Sequence, residues 1–136
     1  MTQQESIDTV IYWLHKRGYF VDFSYNGDDS VDRESKIISI NTTRSLETQL
    51  YTLLHECGHI LIYGSDKVTN VKEVTDSYNE KSNIHRVFRV VEEVEAWKRG
   101  LSLANRLGIF VDKEKWNRDV ARALKQYMKW CLDPNF

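Results

Sequence analysis

The chain of 136 residues has the length of one compact domain, and its 41% apolar and 29% charged residues exclude a wholly disordered or low-complexity polymer. Nineteen basic against twenty acidic residues leave a formal net charge of -1, which argues against a broad electrostatic footprint for nucleic acid. The longest mostly apolar stretch, Ile60 to Tyr63, is far too short to span a bilayer.

The polar start, Met1 to Ser6, lacks a basic segment followed by an apolar run, so no signal peptide is expected. Cys57 and Cys131 form no paired pattern, which points away from a disulfide framework and towards a reducing compartment. A soluble cytoplasmic protein is the expectation, with no membrane association and no direct nucleic-acid binding.

Ile7, Val10, Ile11 and Leu14 recur at three- and four-residue steps, so Gln3 to Arg17 reads as an amphipathic helix closed by Gly18. Tyr19 to Tyr25 alternates like a strand, Asn26 to Asp29 is a turn, and Lys36 to Asn41 is a second strand. The two strands are expected to form an antiparallel ribbon. Ser45 is an N-cap for a helix running to Tyr63 and stopped by Gly64, with Leu46, Leu50, Leu53, Leu54, Cys57 and Leu61 as its buried face.

Asp66 to Ser82 is polar without a clear period and reads as a loop. A third helix covers Ile84 to Leu107 and closes at Gly108. Asp112 then caps a fourth helix to about Cys131, with Trp116, Val120, Leu124, Tyr127 and Cys131 as its stripe. Its basic residues, among them Lys113, Lys115, Arg118 and Arg122, are diluted by Glu114 and Asp119 and read as a solvated face. The expected fold is a single α+β domain over residues 1–136, mainly helical, with a small antiparallel sheet packed on the second helix.

That second helix carries His55-Glu56-Cys57-Gly58-His59. Residues at i and i+4 are separated by about 40° of rotation and one turn of rise, so both imidazoles can reach one zinc ion. Glu56 lies about 100° round from His55, placed to act on water rather than to serve as a ligand on the same edge. Cys57 falls opposite the histidine edge and reads as a small buried apolar residue. Gly58 costs about 1 kcal/mol against alanine inside a helix, a cost that close approach of another backbone or of a substrate strand would offset.

A catalytic zinc site usually has three protein ligands. The third helix offers Glu92, Glu93 and Glu95, and His85 stands at its start as an alternative. If Val87, Val90, Val91, Val94, Trp97, Leu101 and Ala104 mark its buried side, Glu93 lies about 80° from the middle of that stripe. Glu95 lies about 120° away and Glu92 about 180° away. Glu93 is therefore the expected ligand, and Glu92 and Glu95 are expected in solvent.

His-Glu-x-Gly-His on a helix, followed by Glu93-Val94-Glu95-Ala96 on a later one, resembles the ImmA/IrrE-type metallopeptidase domains and related small phage and bacterial HExxH proteins. The resemblance covers about residues 36 to 105 and includes Ile38 to Asn41 and Ser45 to Leu54. It implies a zincin-like fold of the gluzincin kind, with a downstream glutamate three residues before an alanine as third ligand, which falls on Glu93. Where that family continues with Phe-Ala and then Leu-Leu-x-Pro, this chain reads Trp97-Lys98-Arg99-Gly100.

The expected function is zinc-dependent peptide hydrolysis, with Zn2+ on His55, His59 and Glu93, Glu56 as general base, and a protein or peptide as substrate. The alternative is a zinc-binding regulatory or interaction module of the same fold that cleaves nothing. Tyr63, Tyr78, His85 and Arg86 are the candidate donors to a developing oxyanion.

Overall fold

The computed structural model describes residues 1–24, 27–64 and 83–133. Helix α1 spans Gln3–His15, capped by the Thr2 hydroxyl, which accepts from the Glu5 N–H at 3.1 Å. Ile7, Val10 and Leu14 are its buried face, and Gly18 at φ +80° turns the chain into the sheet. The loop read over Asp66 to Ser82, and the Tyr25-Asn26 part of the first strand and turn, lie outside the described residues.

Strands β1 (Phe20–Ser24), β2 (Ser30–Asp32) and β3 (Ile37–Asn41) form one sheet in the order β1-β3-β2. The sheet is mixed: β2 pairs antiparallel with β3, but β1 pairs parallel with β3 in the register Phe20↔Ile37 to Ser24↔Asn41. The antiparallel ribbon expected from sequence is thereby corrected. A third, three-residue strand lies within the connection over residues 25–36 and reverses the chain, so β3 runs the same way as β1. Two strands are joined in parallel only through such a crossover. β3 takes the centre, and its Ile38 and Ile40 are fully buried beneath it.

Helix α2 (Leu46–Tyr63) starts at the Ser45 cap, whose hydroxyl accepts from the Thr48 N–H, and ends at Gly64, as its sequence signals. It is buried almost all round because α1, the sheet and both later helices surround it. Helix α3 (Asn83–Arg106) lies along it, and helix α4 (Lys113–Leu132) closes the far side. The Tyr51 hydroxyl accepts from the Asp112 N–H at 2.8 Å, tying the middle of α2 to the start of α4.

The packing of α2 on α3 is closer than ordinary side chains permit. A Cβ on Gly58 would collide with the Ala96 carbonyl, and one on Gly100 would stand 2.6 Å from the Leu54 carbonyl oxygen. The two helices run antiparallel with a glycine from each set against the backbone of the other. The buried side of α3 is Arg86, Glu93, Ala96, Trp97, Gly100, Leu103 and Ala104, together with Glu92. This corrects the valine stripe: Val87, Val91 and Val94 are exposed. The small residues Ala96 and Gly100 carry little hydrophobic signal, yet they decide which side of α3 can approach α2.

Candidate metal centre

One turn of α2 separates His55 and His59, and both imidazoles face α3 with their rings 4.8 Å apart. His55 is stacked on Trp97 at 4.2 Å, which fixes its ring plane. The Nε2 atom of His55 lies 2.8 Å from Glu93 Oε2, and Nε2 of His59 lies 3.1 Å from Glu93 Oε1. All three side chains are buried, and their donor atoms lie within 4.8 Å of one another. They are the one group of three among the described residues able to hold a metal ion.

The donor set suits such an ion. Ligand atoms about 2.1 Å from a tetrahedral zinc stand about 3.4 Å apart, so the widest pair here, within 4.8 Å, closes by about an ångström when the ion binds. Two imidazole nitrogens and one carboxylate oxygen are also the mixture that leaves a fourth position open in catalytic zinc sites.

The Nδ1 atoms turn to two further carboxylates. His55 Nδ1 is 3.3 Å from Glu56 Oε1, and His59 Nδ1 is 3.5 Å from Glu92 Oε1, a charge contact rather than an aligned hydrogen bond. Glu92 is 2% exposed, where solvent was expected. The Tyr63 hydroxyl donates to its Oε1 at 3.2 Å and Arg89 donates to its Oε2 at 2.9 Å, which explains why it can be buried as an anion. The sequence missed it because the valine stripe placed the helix axis wrongly. Glu95 is partly exposed and pairs with Arg99 at 2.9 Å, as a surface residue does.

The charges reinforce one another. Burial disfavours the imidazolium form of His59, but contacts with Glu92 and Glu93 outweigh it and raise the pKa to about 10. His55 shifts upward against the same burial penalty, through Glu56 and Glu93. Glu93 is the counterpart: burial opposes its charge, yet the two imidazoles hold the carboxyl well below its usual range. Cys57 is fully buried, and burial pushes its thiol pKa upward, so it stays a protonated, inert core group.

Two cavities meet at this centre. The smaller, about 240 Å³, lies between it and β2 and is walled by Ser30, Val31, Tyr63, Arg89 and Tyr127. The larger, about 440 Å³, extends between α2 and α4. His55, Glu56 and Tyr127 line both. Burial, then the charge of Glu93, pushes the Tyr127 phenol up to about 12, so it remains a donor at neutral pH.

Of the oxyanion donors named from sequence, Tyr63 reaches the centre with its hydroxyl engaged by Glu92. His85 is not in the ligand group; it lines a separate cavity with Trp130. The Arg86 guanidinium is buried 5.7 Å from the Trp130 ring. Tyr78 lies outside the described residues. The α4 residues Tyr127 and Asp119 were read only as core stripe and solvated charge; the latter is 7% exposed and forms part of the wall.

No helix among the described residues is long and apolar enough to cross a membrane. No family model, no curated protein and no solved structure matches the chain.

Proposed function

We propose that the protein is a zinc-dependent peptidase in which His55, His59 and Glu93 bind the metal and Glu56 is the general base. The observation that carries this reading is the convergence of three buried donors from two helices, with the unliganded carboxylate of Glu56 on the wall of both cavities. Zinc bound there would supply Lewis acidity, polarising a substrate carbonyl and making water acidic enough to lose a proton near neutrality.

The chain's own groups do the rest. Glu56 accepts the proton of the attacking water as the new C–O bond forms, then delivers it to the leaving nitrogen as the C–N bond breaks. Tyr127 is the donor assigned to the developing oxyanion, because it stands on both cavities whereas Tyr63 lines only the smaller of the two; in the metal-free centre the Tyr127 hydroxyl lies against Glu93, as that of Tyr63 lies against Glu92. Glu92 and Trp97 hold the histidine rings in position. Burial of the triad excludes bulk water from its inner side.

Cleavage of a peptide mixture by zinc-loaded protein, compared with Glu56→Gln, tests the reading. Turnover in wild type and its loss in a variant that keeps its zinc is the expected result. Equal turnover in both would overturn Glu56 as base. Zinc binding without turnover in either would favour the silent regulatory module.

A further inference from the structure

A third cavity, about 370 Å³, lies between the start of α3 and the end of α4. Its described walls are His85 and Arg89, one turn apart on α3, and Gln126, Tyr127 and Trp130 on α4. It adjoins the metal centre. Tyr127 lines all three cavities, Gln126 is shared with the larger of the other two, and Arg89 with the smaller. The Tyr127 hydroxyl lies against Glu93, and the centre of the Tyr127 ring is 6.4 Å from that of Trp130. An extended peptide advances about 3.3 Å per residue, so a side chain lodged here belongs to a residue within about three positions of a carbonyl at the metal.

Rings dominate the walls. The Trp130 indole meets the His85 imidazole at 6.3 Å and 82°, and the Tyr127 phenol at 6.4 Å and 84°, so both stand nearly perpendicular to it. Aromatic rings favour such edge-to-face contacts, and a further ring entering between them gains the same. Charge narrows the choice. Among the described residues no carboxylate lines the cavity, whereas Arg89 does, and the buried Arg86 guanidinium lies 5.7 Å from the Trp130 ring. A lysine or arginine side chain would therefore meet two cations. A carboxylate would lose its hydration among rings, beside an Arg89 that Glu92 already holds at 2.9 Å. A small aliphatic side chain would leave much of the volume without contacts.

We infer that this cavity is the subsite for an aromatic side chain of the peptide substrate, with Trp130 as its specificity-determining residue. The inference rests on the peptidase reading for its place in the reaction, and on the ring geometry for its chemistry.

The test uses the full zinc-loaded chain and two readouts. In nitrogen-15 NMR, the Trp130 indole N–H resonance, assigned with Trp130→Phe, is followed during titration with the N-acetyl methylamides of phenylalanine, leucine, lysine and glutamate. A saturable shift is expected, with phenylalanine bound about two- to tenfold more tightly than leucine and the charged probes weaker still. No shift, or no preference for phenylalanine over the other three, overturns the subsite whether or not any peptide is cleaved. A resonance that moves with protein concentration alone would show a second copy in the cavity and overturn it equally.

Cleavage of a peptide mixture is then mapped. Aromatic residues should be enriched at one fixed position within about three of the cut. There, phenylalanine should raise kcat/KM at least ~tenfold over alanine. In Trp130→Ala that ratio should fall about two- to tenfold, while the alanine peptide is cleaved as by wild type and zinc content is unchanged. A ratio preserved in Trp130→Ala, or cleavage by wild type without aromatic preference, overturns the subsite and leaves the peptidase reading intact. A shift that favours phenylalanine, with no cleavage of any peptide, overturns the peptidase reading and supports the aromatic site. If Trp130→Ala fails to fold, the wild-type titration and cleavage map decide.

Discussion

Gly58 stands so close to Ala96 that a single added methyl group would collide with the Ala96 carbonyl oxygen. This contact lies between His55 and His59 on α2 and three residues from Glu93 on α3. It sets the spacing at which one carboxylate reaches both imidazoles, so the architecture of the site rests on the absence of a side chain.

Gly58→Ala should therefore destabilise the protein, although alanine is the better helix former by about 1 kcal/mol. Overpacking costs about 1–3 kcal/mol, and pushing the helices apart also separates Glu93 from the histidines. A lower melting temperature and weaker zinc binding together are expected from calorimetry and zinc titration. A neutral or stabilising effect with unchanged zinc affinity would refute this role.

Glu92→Gln removes the carboxylate beside His59 Nδ1 while keeping its shape. Loss of such a partner typically weakens metal affinity about 10- to 100-fold, and that loss is expected in competition with a chelator of known affinity. Glu95→Gln, which touches only Arg99, is the matched control and should bind zinc like wild type. Equal affinities for the two variants would show that Glu92 has no positioning role.

The ligand cluster also gives a dependence on pH. In the metal-free protein His59 is raised from an ordinary 6.5 to about 10, so its stabilising contribution is complete below pH 6.5 and fades as pH rises through about 10. Glu93 is lowered, so its contribution is present above its ordinary value of 4.5 and is lost as pH falls below it. With chelator present, the cluster should stabilise most between pH 4.5 and 6.5. Zinc must displace the imidazole protons, so its uptake at neutral pH should release protons and strengthen as pH rises towards 9. Calorimetry in buffers of different ionisation enthalpy measures the release, and zinc uptake without proton release would contradict the account.

Tyr127→Phe separates catalysis from metal binding. Removing one oxyanion donor costs about 10²- to 10³-fold in kcat in well-studied hydrolases, and a fall of about that size with zinc content unchanged is expected. Unaltered kcat would remove Tyr127 from the reaction, and loss of zinc would make it a support for Glu93 instead.

How much of this was legible in the sequence follows from the kind of signal each element carries. Ser45, Gly64, Gly18, Gly108 and Asp112 mark helix ends by local chemistry, and the helices begin and end within a few residues of those marks. Gly58 announced a close neighbour because glycine inside a helix needs a compensating contact. The parallel pairing of β1 and β3 was hidden because β2 is three residues long and has no readable alternation. Glu93 was chosen from a stripe whose Trp97 and Ala104 are buried but whose Val87, Val91 and Val94 proved to be exposed; it is nonetheless buried, because Ala96, Trp97 and Gly100, not those valines, define the packed face. Glu92, Asp119 and Tyr127 were not found as site residues, since the side of a helix that is covered depends on which neighbouring helices pack there, and periodicity along one helix does not show that.

Elemental analysis of untagged protein, with His59→Ala and Glu93→Ala alongside, tests the central claim most directly. About one zinc per chain in wild type, as a site of three protein ligands holds, with depletion in both variants, is the result this account predicts. Protein that carries no stoichiometric metal, and whose melting temperature is indifferent to added zinc and to chelator, would contradict it.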